Sequence, residues 1–288
     1  MRSYEQDAKA KECVVICDGG TIEAYEWGRE FTNCGKTGKF ELKFTDNEAE
    51  FRGRELASYD ALGEAVLSEW QHGIELFDKM QSDIQAEQLP TPKSRRRTGV
   101  WSEDDGDDFN FDRFRTGAPF WRTSKRRSGN GPNVVTICVD VGGNCNIDHE
   151  ALIWRGVAAV SAAKVLERAG YRVELWACCS LSGAFRDGFG LFMGVRLKRH
   201  NDRLDITSLI NGISGWFFRS VLFSLVNVCE GRTPEYGLGQ HRGSKAFIHH
   251  IANANAIMVE DCWNRKTALE AIRKLIPLAV GEANLVEC

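Results

Sequence analysis

The run Val134-Val135-Thr136-Ile137-Cys138-Val139 restricts the fold more than any other stretch of the chain. It is almost continuously apolar and rich in β-branched side chains, the pattern of a central parallel strand covered on both faces. Asp140 follows at once, and Gly142-Gly143-Asn144 make a flexible turn. An Ala- and Val-rich helix is expected from about Glu150 to Ala169, stopped by Gly170. Tyr171-Arg172-Val173-Glu174-Leu175-Trp176-Ala177 then reads as a second strand. Strand, helix, strand is a crossover unit, and such crossovers are almost always right-handed.

The alternation continues downstream. Leu191 to Lys198 reads as a third strand, helices follow within 206–229, Ala256 to Glu260 is another short strand, and a last helix runs from about Thr267 to Leu275. Residues 132–288 are therefore expected to form an α/β domain with an open, mostly parallel, doubly wound sheet. Ligands of such sheets bind beyond the carboxyl ends of the strands, which here are Asp140, the 178–184 loop and Asp261.

Residues 1–89 read as a small α+β region. Val14 to Cys17 is a short apolar run, and Lys39 to Phe44 alternates with period two, so several short strands joined by Gly turns are expected over residues 1–54. Leu62, Val66, Trp70, Ile74, Phe77 and Ile84 recur at helical spacing and predict one long helix over 58–88, capped by Ser58 and kinked near Gly73. Pro90 and Pro92 close it.

Residues 90–131 connect the two regions. They carry Arg95, Arg96 and Arg97, then an acidic block from Glu103 to Asp108, then Lys125, Arg126 and Arg127. Trp101, Phe109, Phe111, Phe114, Phe120 and Trp121 are interleaved with these charges. Disordered linkers are poor in aromatics, so an ordered arm draped over the core is expected. The basic residues with Trp101 and Trp121 are candidates for contact with a partner or a nucleic acid.

Composition narrows the class. The 288 residues carry 37 basic and 40 acidic side chains, a formal charge of −3, which excludes a globally basic nucleic-acid binder. Ten cysteines in a chain of this length are too sparse for a disulfide scaffold and show no C-x-x-C pair, so buried reduced thiols are expected. Zinc shared by Cys13, Cys17, Cys34 and a distant His stays open, as does a nucleophilic pair between Cys178, Cys179 or Cys229 and one of His241, His249 and His250. Residues 1–10 have charges and no apolar stretch, so no secretory signal is read and a cytoplasmic protein is expected. Ile206 to Cys229 is apolar enough to resemble a membrane span, but Arg219 lies at its middle. Two buried helices broken near Gly215 are the expectation.

A family resemblance rests on Val134 to Trp176, with Asp140 after the first strand and Leu166-Glu167-Arg168-Ala169-Gly170 before the second. This segment resembles the opening strand, helix and strand of von Willebrand factor A-like domains. Gly106 to Asp112 is similar to a segment upstream of such domains in bacterial chelatase and nitric-oxide-reductase accessory proteins. Asp140 stands where that family has its metal aspartate, but Gly142 and Asn144 replace the two serines, and Asp261 is a loose counterpart of the later aspartate. The resemblance implies a degenerate metal site, with Mg²⁺ as the cation if Asp140, Asn144 and Asp261 hold one, and a non-catalytic role in protein interaction or assembly.

Other motifs are incomplete. Cys34-Gly35-Lys36-Thr37 has the tail of a phosphate-binding loop, but Glu30 stands at the first Gly. Cys17 to Ile22 resembles the threonine loop of bacterial asparaginases, yet Asp18 replaces its threonine. Three expectations follow. The first is an interaction or scaffold protein. The second is a divalent-metal enzyme acting on phosphate esters through Asp140, Asp148 and Asp261, and the third is an RNA- or DNA-associated viral or mobile-element protein using the basic clusters of 93–127.

Overall fold

The computed structural model describes residues 2–32, 41–86, 98–104, 108–125, 134–235, 240–242, 250–251 and 256–281. The N-terminal part holds β1 (Arg2–Asp7), β2 (Glu12–Cys17), α1 (Gly20–Thr32), α2 (Asp46–Arg52), α3 (Tyr59–Leu67) and α4 (Gln71–Ala86). The arm holds β3 (Thr98–Ser102), β4 (Asp108–Phe109), α5 (Phe111–Arg115) and β5 (Trp121–Lys125). The remainder holds β6 (Val134–Asp140), α6 (His149–Arg168), β7 (Arg172–Ser182), β8 (Gly190–Lys198), α7 (Ile206–Gly212), α8 (Gly215–Phe217), β9 (Gln240–Arg242), β10 (Ile257–Val259) and α9 (Arg265–Val280).

The apolar run does become an inner strand. β6 pairs in parallel with β7 on one side and β10 on the other, and α6 makes the crossover between β6 and β7. Gly170 ends the crossover at φ 92, a left-handed conformation that only glycine adopts without strain. The main sheet runs β1-β2-β8-β7-β6-β10, with β9 continuing along β7 where β6 has ended. It is a mixed sheet: β2 is parallel to β8, whereas β7 with β8 and β1 with β2 are antiparallel.

Two features differ from the sequence reading. The N-terminal strands belong to this same sheet, so residue 89 does not bound the core and residues 132–288 do not complete it alone. The reason is the long-range pairing of β2 with β8, which no local pattern announces. The described helices that pack on the sheet, α1, α3, α4, α6, α7 and α9, lie on one side. Alternate strand residues such as Val15, Ile137, Leu175 and Met193 join buried side chains of α1, α3, α4, α6, α7 and α9 in one core. The opposite face carries a smaller cluster of Val14, Cys138, Trp176, Cys178 and Phe192, backed by Ile16, Ile251, Ala256 and Met258. A doubly wound sheet needs helices on both faces, and the described helices supply one.

Local corrections have visible causes. Among the described residues of 18–54 helix predominates, with α1 and α2 where strands were expected; residues 41–44 form no strand, and residues 39 and 40 lie outside the described residues. Phe44 instead packs edge-on against Tyr59 at 5.4 Å between ring centroids, with the Arg52 guanidinium over its ring. The long helix over 58–88 is two helices. Ser58 caps α3 as expected, accepting from the Ala61 amide, but the chain turns extended at Ser68. The Asn211 side-chain amide donates to the carbonyls of Ala65, Val66 and Ser68, so α3 is closed by a residue from α7. Residues 178–182, expected as a loop, are strand, because β7 extends to pair with β8 and β9.

The apolar stretch from Ile206 behaves as anticipated. It divides at Ser214 into two segments bent by 54°, and no single described helix is long and apolar enough to cross a membrane. After α8 the helix widens into a π-helical turn over Phe218–Leu222 and tightens to a 3-10 turn over Leu225–Val228. Arg219 is buried there and hydrogen-bonds the carbonyls of Phe51, Asn144 and Ile147. Burial pulls its pKa down to about 10.

Candidate functional site

The carboxyl edge of the sheet is the natural place for a ligand, and the chain has put an arginine there. Asp140 is 1% exposed at the end of β6. Its Oδ1 accepts from the Gly142 amide at 3.0 Å and lies 3.8 Å from Nη1 of Arg155. That guanidinium also donates to the carbonyls of Asp140 and Gly142, at 2.7 and 2.6 Å. Its other side faces the Trp263 ring, 3.9 Å from the centroid. Arg155 projects from the second turn of α6, whose N-terminus Asp148 caps by accepting from the Glu150 amide. Burial lowers the Arg155 pKa, and the negative charges of Asp140, Asp261 and Glu260 oppose that shift.

The structure therefore gives Asp140 a cation of its own, the Arg155 side chain. Asp261 is exposed and takes a left-handed conformation at φ 60, just before the start of α9. Asn144 is exposed, and its backbone carbonyl accepts from Ile147 and Arg219. Asp148 lies 3.1 Å from Nδ1 of His149. Among the described residues no three His, Cys, Asp or Glu side chains are grouped to hold a metal ion. A divalent cation beside Asp140 would meet the buried guanidinium at close range, so this donor set does not fit Mg²⁺.

A second concave place lies at the carboxyl ends of β2 and β8, where a cavity of ≈ 190 Å³ is lined by Asp18, Gly20, Thr21, Arg196, Arg199 and Asp202 among others. Sequence reading singled out Asp18 to Thr21 here but not the two arginines, which lie in and just after β8. Both are engaged: Arg196 Nε is 2.6 Å from Asp18 Oδ1, and Arg199 Nη2 donates to the Asp18 carbonyl at 2.9 Å. Arg196 also pairs with Glu174 and stacks over Trp176 at 4.9 Å.

The thiols follow the expected pattern. Seven of the eight described cysteines are buried and free, and Cys145 is exposed. Burial pushes the pKa of Cys178 and Cys179 well up, which removes them as nucleophiles. His250 is exposed, with its ring 5.0 Å from that of Phe192. The side chains of His241 and His249, and Cys34, lie outside the described residues.

The arm forms its own three-stranded antiparallel sheet, ordered β3-β5-β4. Phe109 opposes Trp121, and Trp101 opposes Arg122. Asn110 caps α5 by accepting from the Arg113 amide. Phe109 meets Phe114, Phe120 and Trp121 at 5.7, 5.5 and 5.1 Å, and Phe114 meets Phe120 at 4.9 Å. Trp101 lies beneath the guanidinium of Arg113 at 4.3 Å and beside that of Arg122 at 5.8 Å. Phe109, Phe111, Phe114, Phe120 and Trp121 make their described ring contacts with one another and do not belong to the main core cluster. Phe109, Phe111 and Phe114 remain 43%, 61% and 51% exposed. Arg95, Arg96, Arg97, Arg126, Arg127 and the Lys125 side chain lie outside the described residues.

A family model described as "Domain of unknown function (DUF7192)" matches residues 27–278. No curated protein and no solved structure matches the chain.

Proposed function

Since the chain belongs to the DUF7192 family, whose description assigns no activity, we propose its role from its surfaces: a non-catalytic assembly protein that associates through the arm. One observation carries this reading, the exposed ring cluster of Phe109 on β4 and Phe111 and Phe114 on α5, in an arm with its own small sheet. Exposed contiguous aromatics of this kind are typical of interaction sites, where burying each ring contributes strongly. The occupant proposed is a second copy of the chain. The arm's sequence places an acidic block at 103–108 between basic blocks at 93–97 and 125–127, so two arms related by a two-fold axis are self-complementary in charge. The core is read as a degenerate von Willebrand factor A-like domain, supported by the β6-α6-β7 crossover and by Arg155 standing beside Asp140.

Light scattering on the full chain across a concentration series tests this. A dimer or larger species that becomes monomeric in the F111S/F114S variant is expected, and a monomer at every concentration overturns the reading. Trp101 with the guanidinium groups of Arg113 and Arg122 close by favours a second reading, a stacking platform for single-stranded nucleic acid. Binding of a labelled single strand that survives about 200 mM salt and is lost in W101A would establish it instead.

A further inference from the structure

The cavity of ≈ 190 Å³ at the carboxyl ends of β2 and β8 is used neither by the assembly reading nor by the Asp140 pair. Its walls are the turn from β2 into α1, the end of β8 with the turn after it, and Ser208 near the start of α7. Both signs of charge line it. Asp18 Oδ1 is shared by Arg196 Nε at 2.6 Å and Arg199 Nη2 at 3.4 Å, and Asp202 Oδ2 accepts from the Arg199 amide at 2.8 Å. These contacts leave part of each group over. Among the described residues, the second carboxylate oxygens of Asp18 and Asp202 accept no hydrogen bond, and Nε and Nη1 of Arg199 donate none.

Thr21 points to a ligand independently. It is only 5% exposed and yet lines the cavity. Its methyl is turned to α7, 2.9 Å from where a Cβ at Gly212 would lie, which leaves the hydroxyl for the cavity. No described residue supplies that hydroxyl with a partner, and an enclosed hydroxyl without one is costly. α1 starts at Gly20, so the amides of its first turn also lack an intrahelical acceptor. Glu23, in that turn, lies against Gly19 and is bonded to Arg2 at 3.2 Å, outside the cavity wall.

We propose that this cavity binds a free α-amino acid with an apolar side chain. A simple anion would face Asp18 and Asp202, and a simple cation would face Arg196 and Arg199. A zwitterion meets each sign with its opposite. The ligand carboxylate accepts from the spare Arg199 nitrogens, the Thr21 hydroxyl and the first-turn amides of α1. Its ammonium donates to the spare oxygens of Asp18 and Asp202. Ile22 and Leu197 supply the apolar wall for the side chain. The volume is below the roughly 300–1,000 Å³ of sites for drug-sized ligands and suits so small a molecule.

Isothermal titration of the full chain with L-leucine and L-valine tests the proposal. Saturable binding of at least one of them is expected. Acetylating its amine or converting its carboxylate to the carboxamide should each weaken binding by about tenfold or more, because each removes one charged half of the match. R199M should weaken it to a similar extent, and T21V by about threefold to tenfold. Equal binding of the blocked analogues, undiminished binding in R199M, or no saturable heat up to about 10 mM overturns the proposal. Binding of inorganic phosphate in place of the amino acids marks a simple anion site and overturns it too. The analogue series on the unaltered chain decides the matter even if T21V fails to fold.

Discussion

At the scale of single residues, Arg155 is the side chain on which the sheet's carboxyl edge depends. Removing one partner of a buried ion pair leaves the other charge without compensation, a loss of about 3–5 kcal/mol. R155M should therefore lower the urea midpoint severely, while R155M/D140N should recover most of that loss. If the single and double variants unfold alike, the pair is not the coupled unit described. The buried thiols set a second residue-scale expectation. Burial raises Cys17 and Cys262 to about 11 and Cys138 to about 12. Above the ordinary thiol pKa of about 8.5 the unfolded chain loses these protons and the folded chain keeps them. Their contribution is complete below that pH and is lost as pH rises toward the folded values. Urea midpoints measured from pH 7 to 10.5 should be flat at first and then fall, and C138A should fall less steeply.

At the scale of elements, helix ends are where distant parts of the chain meet. Asn211 closes α3 with bonds to three carbonyls, so N211A should cost roughly 1–3 kcal/mol by leaving buried acceptors unpaired. Hydrogen exchange should quicken in α3 and at Ser68 ahead of the rest. At α9 the Asn264 side chain accepts from the Thr267 amide and the Thr267 hydroxyl accepts from the Asn264 amide, a reciprocal cap. N264A should lower stability by about 1 kcal/mol in thermal melts. Elements whose signal is contiguous were legible in the sequence: β6 from its apolar run, α6 from its Ala-rich length and Gly170, and the break in the apolar stretch from Gly215. What was not legible depends on partners far along the chain. The split between α3 and α4 is made by Asn211, and the place of β2 in the sheet is made by β8. At the sites, Asp140 was picked out from its position after the strand, but Arg155 looked like one more residue of an Ala- and Val-rich helix.

At the scale of the whole molecule, the arm has its own sheet and its own ring cluster. The ring cluster of Phe109, Phe114, Phe120 and Trp121 has no described ring contact with the core, so disrupting it should leave core stability nearly untouched. F109S should change the main unfolding transition by less than about 0.5 kcal/mol while hydrogen exchange over 98–125 becomes fast. A large drop in the main transition would show that the arm supports the core.

Arg155 has a further consequence for how the molecule meets its surroundings. A counter-ion drawn from solution is diluted, displaced and chelated, whereas one tethered by a helix is present at a fixed local concentration in every molecule. Because the pair lies out of water, mobile ions screen it little. The Asp140–Arg155 pair should therefore stay matched at any salt, and neither EDTA nor millimolar magnesium should move the unfolding midpoint.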